Sequence, residues 1–217
     1  MTKRMQMIAS LTLLSILLGG VTGCAPRSTE PVTLPTPTVA PGWERFVDQG
    51  GCSYVIDFPS DMDGSSHDTY SWILSSTAAE PSGPAPNFIY ISVIPDDFQP
   101  SGNEPGIIYN YDPAETQTLL NLQVSESRSL RDDPLLADWF IYTRLPDTAL
   151  GNQAAQTYEN TQPWEFPMGT KEIRYYLKAN GCTYLMGGYL ATVGSGSPGS
   201  IDEELFDQII ATFRLAP

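Results

Sequence analysis

Hydrophobic and polar residues alternate along much of the chain, and a period of two residues is the pattern of β-strands that bury one face. Residues 43–59 predict two such strands around a turn at 49–51, with Tyr54, Ile56 and Phe58 on the buried face. We therefore expect the folded part of the chain to open with a β-hairpin.

Two later segments have the strongest strand patterns. Residues 87–95, NFIYISVIP, are apolar on both faces and predict a central strand that is covered on both sides. Residues 171–193 predict a hairpin in which two alternating runs meet at Asn180-Gly181, a favoured two-residue turn. Additional strands are predicted at 70–76, 138–145 and 151–160.

The hydrophobic period lengthens to that of a helix in two places. Residues 112–127 have Asp112 as a potential N-cap and a proline at the first helical position. Residues 200–215 begin with Ser200 and Glu203, which fit a capping box, and then repeat apolar residues at helical spacing. Many antiparallel strands with two helices predict an α+β fold.

The composition is strongly acidic. Of 217 residues, 25 are acidic and 11 are basic, which gives a net charge of −14. Hydrophobic residues make up 41% of the chain, enough to fill a core. Nucleic acid and anionic lipid headgroups repel so acidic a chain, and we expect neither as a partner. The scattered acidic residues are interpreted mainly as a source of solubility.

The first residues have the layout of a bacterial export signal. Lys3 and Arg4 precede an apolar run at 7–18 that is shorter than the roughly 20 residues of a membrane-spanning helix. The stretch VTGC, which ends at Cys24, resembles the lipobox of bacterial lipoproteins. This resemblance implies a signal peptide at 1–23 that is removed, and a diacylglyceryl group on the thiol of Cys24. The alternative is an ordinary cleaved signal with a free cysteine.

The lipoprotein resemblance divides the chain into three parts. Residues 1–23 are the signal peptide, 24–42 are the lipidated cysteine and a tether rich in proline and threonine, and 43–217 are a single globular domain. Two or more acyl chains hold a protein stably at a membrane. We therefore expect an extracytoplasmic domain, lipid-anchored to a bacterial membrane or cell surface.

Two cysteines remain in the predicted domain. Cys52 and Cys182 have similar surroundings, because each lies between a glycine and a hydroxyl residue at the start of an apolar strand. An even pair of cysteines in an oxidising compartment predicts a disulfide, with two buried reduced cysteines as the alternative. The pair agrees with export of the domain.

The order of the predicted elements and two short motifs resemble a known family. Residues 58–62, FPSDM, match a YPSDW motif that follows an opening strand, and Thr212-Phe213 match a closing motif after a final helix. These features resemble the PsbP-like domains of photosystem and bacterial extracytoplasmic proteins, although Phe58 and Met62 replace the usual Tyr and Trp. The resemblance implies an antiparallel sheet flanked by helices in an α/β/α sandwich, used for assembly or binding.

Candidate catalytic and metal-ligating residues are few. The single histidine, His67, lies near Asp61, Asp63 and Asp68, which suggests a metal site. The spacing does not match a calcium-binding EF-hand loop, because Gly64 directly follows Asp63. A polar surface loop is the simpler interpretation. We assign no catalytic residue and expect no cofactor.

Aromatic residues on predicted loops are the remaining candidates for a ligand surface: Tyr109, Tyr111, Trp164 and Phe166. Their alternative role is to anchor loops to the core. We interpret the protein as a membrane-anchored, non-enzymatic module that binds an envelope protein or a small ligand. The open alternatives are a carboxylate-based hydrolase or carbohydrate-active enzyme, and a metal-binding lipoprotein.

Overall fold

The computed structural model describes residues 38–67, 70–75, 88–98, 112–164, 166, 168–191 and 201–216, with the backbone alone at 66–67 and 70–75. Several predictions lie outside the described residues. They concern the signal peptide, Cys24, the tether up to residue 37, Asp68, Tyr109, Tyr111 and Ser200.

The described residues form eleven β-strands, two α-helices and one 3-10 helix. In chain order these are β1 (Trp43–Asp48), β2 (Tyr54–Pro59), β3 (Met62–His67), β4 (Tyr70–Ser75), β5 (Phe88–Pro95), α1 (Pro113–Leu120), β6 (Ser127–Ser129), the 3-10 helix (Ala137–Phe140), β7 (Ile141–Leu150), β8 (Gln153–Asn160), β9 (Thr170–Ala179), β10 (Cys182–Ala191), α2 (Glu203–Ala211) and β11 (Arg214–Leu215). Neither described α-helix is long and apolar enough to cross a membrane.

The strands form two antiparallel sheets. The smaller sheet has the order β1-β2-β11, and the larger has the order β3-β4-β5-β10-β9-β8-β7-β6. The predicted hairpin at 171–193 is confirmed as β9 and β10, with positive φ angles of 52° at Asn180 and 73° at Gly181, as a type I′ turn requires. The central strand expected at 87–95 is also confirmed, because β5 lies between β4 and β10 and is buried on both faces.

One face of the larger sheet packs against α2 and the smaller sheet, and we call it the α2 face. Its core is almost entirely apolar, and burial of this surface contributes roughly 25 cal/mol per Å². The principal side chains are Ile56, Phe58, Ile89, Ile91, Ile173, Leu177, Met186, Phe206, Ile209 and Phe213. The Oγ1 of Thr212 joins the end of α2 to β2, because it accepts from the N–H of Asp57 at 2.8 Å and donates to its carbonyl at 2.9 Å.

The opposite face, which we call the α1 face, is covered by α1 and by connecting segments. Its buried cluster is rich in tyrosine and consists of Tyr90, Ile94, Leu119, Tyr142, Tyr158, Tyr176, Leu185 and Tyr189. The hydroxyl of Tyr158 donates to the carbonyl of Leu119 at 2.8 Å and so attaches the last turn of α1 to the sheet. Polar contacts therefore add to hydrophobic burial on this face.

The expected α/β/α sandwich is wrong. The fold is mostly β, and a second sheet takes part of the place of the helical layer over the α2 face. On the α1 face the helix predicted at 112–127 ends at Leu120, because the chain turns after Asn121 and then enters β6. The predicted cap is confirmed, since Asp112 Oδ1 accepts from the N–H groups of Ala114 and Glu115.

Two local predictions also need correction. Residues 62–67, expected as a polar loop, form the edge strand β3, which pairs with β4 from Met62 opposite Ser75. β3 lies at the edge of the larger sheet, where short polar strands are common, and its sequence MDGSSH has no hydrophobic alternation. The final helix begins at Glu203, and its N-cap is Asp202, whose carboxylate accepts from the N–H of Leu205 at 2.8 Å.

A disulfide joins Cys52, in the turn between β1 and β2, to Cys182, the first residue of β10. Their Cα atoms are 6.3 Å apart, and the bond connects the two sheets. A cross-link between residues 130 positions apart stabilises by about 4–5 kcal/mol in the chain-entropy description.

Candidate functional site

A buried carboxylate lies at the centre of the polar contacts on the α1 face. Glu172, in β9, is 1% exposed. The hydroxyl of Tyr90 donates to its Oε1 at 2.6 Å, and the hydroxyl of Tyr142 donates to its Oε2 at 2.5 Å. The two phenols come from strands on either side of β9, so the carboxylate joins parts of the chain that are distant in sequence.

An arginine neutralises this carboxylate. Arg174 is two residues after Glu172 in β9 and therefore points to the same face. Its Nε donates to Oε1 at 2.8 Å and its Nη2 to Oε2 at 3.2 Å. The guanidinium also lies over the ring of Tyr142, 4.5 Å from the ring centroid. We call Tyr90, Tyr142, Glu172 and Arg174 the Glu172 cluster.

A glycine in β10 allows the cluster to form. Gly187 is the register partner of both Tyr90 in β5 and Arg174 in β9. A Cβ atom at this position would lie 2.3 Å from the hydroxyl of Tyr90. The Tyr90 side chain therefore crosses β10 over the glycine to reach Glu172 on the next strand.

Burial and neighbouring charges shift the pKa values of the tyrosines and the arginine of the cluster. Burial raises the pKa of Tyr90 and Tyr142 well above the ordinary tyrosine value, although the charge of Arg174 acts in the opposite direction. Burial would lower the pKa of Arg174, but the neighbouring charge of Glu172 outweighs it and raises that pKa. The tyrosines remain donors and the arginine remains charged, so the cluster is a compensated buried ion pair.

A second buried carboxylate among the described residues is also paired. Asp57, in β2, accepts from Arg45 Nε at 2.7 Å and from Arg214 Nη2 at 3.1 Å. Burial would raise the pKa of Asp57, but hydrogen bonds from the two arginines hold it below the ordinary value. Among the described residues, both buried acids are thus held by arginine, so neither charge lies unpaired in the interior.

The segment between β8 and β9 covers the Glu172 cluster with aromatic rings. Phe166 stacks on Tyr189, with ring centroids 3.9 Å apart and an angle of 9° between the planes. Tyr189 in turn contacts Phe88 at 5.1 Å and Tyr90 at 6.1 Å. Phe166, a candidate for a ligand surface, therefore packs onto the core of the α1 face.

Trp164 lies in the same segment but faces outward, with 41% of its surface exposed. Its ring meets that of Trp139 edge to face, with centroids 5.5 Å apart and planes at 77°. We call Trp139 and Trp164 the tryptophan pair. The sequence pattern placed Trp139 within a strand, but it lies in the 3-10 helix before β7.

A buried asparagine fixes the two segments that carry the tryptophan pair. Asn160, at the end of β8, is 2% exposed. Its Nδ2 donates to the carbonyl of Trp139 at 2.7 Å, and its Oδ1 accepts from the N–H of Gln162 at 2.9 Å. Asn160 is also the register partner of Glu172. The tryptophan pair, with its exposed Trp164, is thus connected directly to the buried cluster.

Exposed apolar side chains concentrate around these segments. The described residues include six large hydrophobic side chains that are exposed, and four of them fall within 135–141 or 164–168. These four are Leu135, Ile141, Trp164 and Met168. Because single exposed apolar residues are ordinary but a concentration of them is not, this region is the best candidate for an interaction surface.

The candidate metal residues do not form a ligand set in the described part of the chain. Asp61 is exposed in the turn before β3 and Asp63 is exposed in β3, while only the backbone of His67 is described. Among the described residues, no group of three or more His, Cys, Asp or Glu side chains could hold a metal ion.

Comparisons with known proteins give only distant similarity. No protein-family model matches the chain, and no curated protein matches it. A solved structure from Bacteroides thetaiotaomicron VPI-5482 has a TM-score of 0.41 and 13% identity, covering 80% of this chain and 48% of that chain. This chain therefore spans about half the length of the Bacteroides protein.

Two further solved structures are similar at the same level. LpqN, described as involved in cell envelope biogenesis of Mycobacterium tuberculosis, has a TM-score of 0.37 and 15% identity over 81% of this chain and 92% of its own. PsbP (CyanoP) from Synechocystis sp. PCC 6803 has a TM-score of 0.35 and 9% identity over 86% of this chain and 100% of its own. A PsbP protein is thus among the structures that this chain resembles, without a shared family being established.

Proposed function

We propose that the protein is a non-enzymatic, extracytoplasmic binding module that docks an envelope protein at the tryptophan pair. One observation carries the proposal. The buried acids among the described residues are held by arginines, whereas Trp164 and its apolar neighbours Leu135 and Met168 are exposed to solvent. The domain offers a preformed contact surface.

The surface has the composition of a protein interface. Tryptophan and methionine are enriched in such interfaces, and tryptophan often supplies a large part of the binding energy. Trp164 is 41% exposed and Met168 is 89% exposed. Asn160 holds the two tryptophan-bearing segments in place, so little conformational freedom is lost on binding.

The cysteines support the proposed location. A disulfide between Cys52 and Cys182 is typical of proteins that function outside the cytoplasm. The lipobox-like sequence before Cys24 adds a mode of attachment, in which acyl chains on that thiol hold the domain at the membrane.

Site-specific photo-crosslinking in the native cell envelope tests the binding proposal. A photoreactive amino acid replaces Met168 in the full chain, and adducts are compared with those of the same probe in Trp164→Ala and Val124→Ala backgrounds. Val124 is exposed and apolar but lies outside the tryptophan segments. The proposal expects a discrete protein adduct that Trp164→Ala removes and Val124→Ala retains. No discrete adduct, or equal yields in the two backgrounds, would contradict it.

Metabolic labelling with a fatty acid tests the anchor separately. We expect the wild-type chain to incorporate the label and the Cys24→Ala variant to lack it. Equal labelling of both proteins would end the lipid-anchor proposal and leave the binding proposal to be judged by the crosslinks.

A further inference from the structure

The exposed surroundings of the tryptophan pair are negatively charged. Asp138 directly precedes Trp139 in the 3-10 helix and is exposed, as are Asp132 and Asp133 in the loop before it. None of these three acids forms an ion pair with another residue in the described ranges. Their charges therefore face solvent beside the apolar surface.

The basic residues of the same region do not neutralise this charge fully. Arg131 forms an ion pair with Glu115, and its guanidinium lies over the ring of Phe140 at 4.5 Å from the centroid. Arg128, exposed in β6, is the other basic residue between positions 127 and 142. Within this region of the described chain, three acidic residues and one basic residue, Arg128, form no ion pair.

We propose that the tryptophan pair receives an arginine or lysine side chain from an apolar segment of the protein partner. The inference rests on the proposed function and specifies the chemistry of its partner. Tryptophan is the aromatic side chain that attracts cations most strongly, through the negative face of its ring. Asp138, the exposed residue directly before Trp139, adds a negative charge to the same segment, and the exposed apolar side chains of Leu135 and Met168 can contact the apolar residues that flank the cation.

The charge of the whole chain supports the same partner. A net charge of −14 attracts a basic segment over the distance of a Debye length, about 8 Å at physiological ionic strength, and repels an acidic one. Complementary charge at the rim of an interface acts mainly on the association rate and on the choice of partner. The apolar residues and the surrounding acidic charge therefore favour the same partner, an apolar segment with a basic side chain.

Nuclear magnetic resonance of the full-length chain in detergent tests the inference. The probes are three short peptides with one apolar framework and a central arginine, citrulline or glutamate. Citrulline has nearly the shape of arginine without its charge. The readout is the set of indole N–H resonances of the four tryptophans, in which Trp43 and Trp72 serve as internal controls.

We expect the arginine peptide to shift the resonances of Trp139 and Trp164 and to bind about three- to tenfold more tightly than the citrulline peptide. The glutamate peptide should bind most weakly. Asp138→Asn should reduce the preference for arginine about twofold, whereas Asp63→Asn, which removes an exposed acid in β3, should leave it unchanged.

Three results would overturn the inference: equal affinity for arginine and citrulline, preference for glutamate, or no shift of Trp139 and Trp164 with any peptide. Each is distinguishable from failure of the proposed function. A photo-crosslinked adduct that depends on Trp164 would still establish docking at the tryptophan pair, with a partner of different chemistry.

Discussion

The Glu172 cluster and the tryptophan pair lie at the same end of the larger sheet, but their chemistry is the reverse of the usual arrangement. Charged groups are buried in the cluster, while in the pair an exposed Trp164 packs on a half-buried Trp139. The cluster is satisfied by internal hydrogen bonds, so it stabilises structure. The pair has apolar area that is not covered, so it is suited to binding. Asn160 connects the two regions.

The identity of a residue is therefore a poor guide to its role in this domain. A glutamate and an arginine suggest chemistry, but here each neutralises the other within a low-dielectric interior. Variants of the Glu172 cluster and of the tryptophan pair should therefore have separate effects on stability and on binding.

Alkaline pH should produce the largest effect, a loss of stability caused by the buried tyrosines of the α1 face. Burial raises the pKa of Tyr90, Tyr142 and Tyr176, and raises that of Tyr158 to about 12. The unfolded chain ionises these tyrosines near pH 10, so stability is fully present below that pH and is lost as the pH rises above it. For four such tyrosines together, the free energy of unfolding falls by roughly 5 kcal/mol per pH unit above that pH.

An alkaline titration checks this expectation, with tyrosinate formation followed by absorbance and the fold followed by circular dichroism in the same samples. The buried tyrosines should ionise only as the fold is lost. Ionisation of all 11 tyrosines near pH 10 with the fold intact would show that the α1 face is open to water.

Glu172→Gln should have the next largest effect. The substitution leaves Arg174 buried without its counter-charge, and loss of one partner of a buried ion pair costs about 3–5 kcal/mol. Denaturant unfolding measures the loss, with Glu44→Gln as a control at an exposed position in β1. A change below about 1 kcal/mol for Glu172→Gln would mean that the cluster contributes little to stability.

Gly187→Ala should destabilise by about 1–3 kcal/mol, because the added methyl group forces Tyr90 away from Glu172. The matched control is Gly51→Ala, since a Cβ atom at Gly51 would meet nothing within 4 Å. Comparison of unfolding midpoints distinguishes the two variants. Equal stability of both would show that Tyr90 does not need to cross β10 at this position.

Sequence reasoning was most successful where structure depends on neighbouring residues. The turn at Asn180-Gly181, the cap at Asp112 and the two-sided burial of β5 each follow from local side-chain chemistry or periodicity. The paired surroundings of Cys52 and Cys182 also predicted the disulfide. These features do not require knowledge of which strands are neighbours.

Sequence reasoning was least successful where contacts depend on strand order. Tyr90 and Glu172 are 82 positions apart, and Tyr142 and Glu172 are 30 apart, so no local pattern indicates that they meet. The role of Gly187 depends on the same strand order. Trp164 was a candidate because it is an aromatic residue on a predicted loop. Its partner Trp139 was not a candidate, because it lies within a predicted strand.

Asn160→Ala should have a moderate effect on both regions. It removes the hydrogen bonds to the Trp139 carbonyl and the Gln162 N–H, at a cost of about 1–2 kcal/mol. It should also lower the yield of the photo-crosslinked adduct, because the tryptophan pair is no longer fixed. An unchanged adduct yield would show that docking does not depend on this positioning residue.

The most direct test compares Trp164→Ala with Tyr142→Phe, measuring the free energy of unfolding and the adduct yield of each. We expect Trp164→Ala to cost about 1 kcal/mol through its lost contact with Trp139, and to abolish the adduct. Tyr142→Phe should lose about 1–2 kcal/mol and retain the adduct under conditions in which it is folded. Loss of the adduct in folded Tyr142→Phe, together with its retention in Trp164→Ala, would contradict the division between a stabilising cluster and a binding pair.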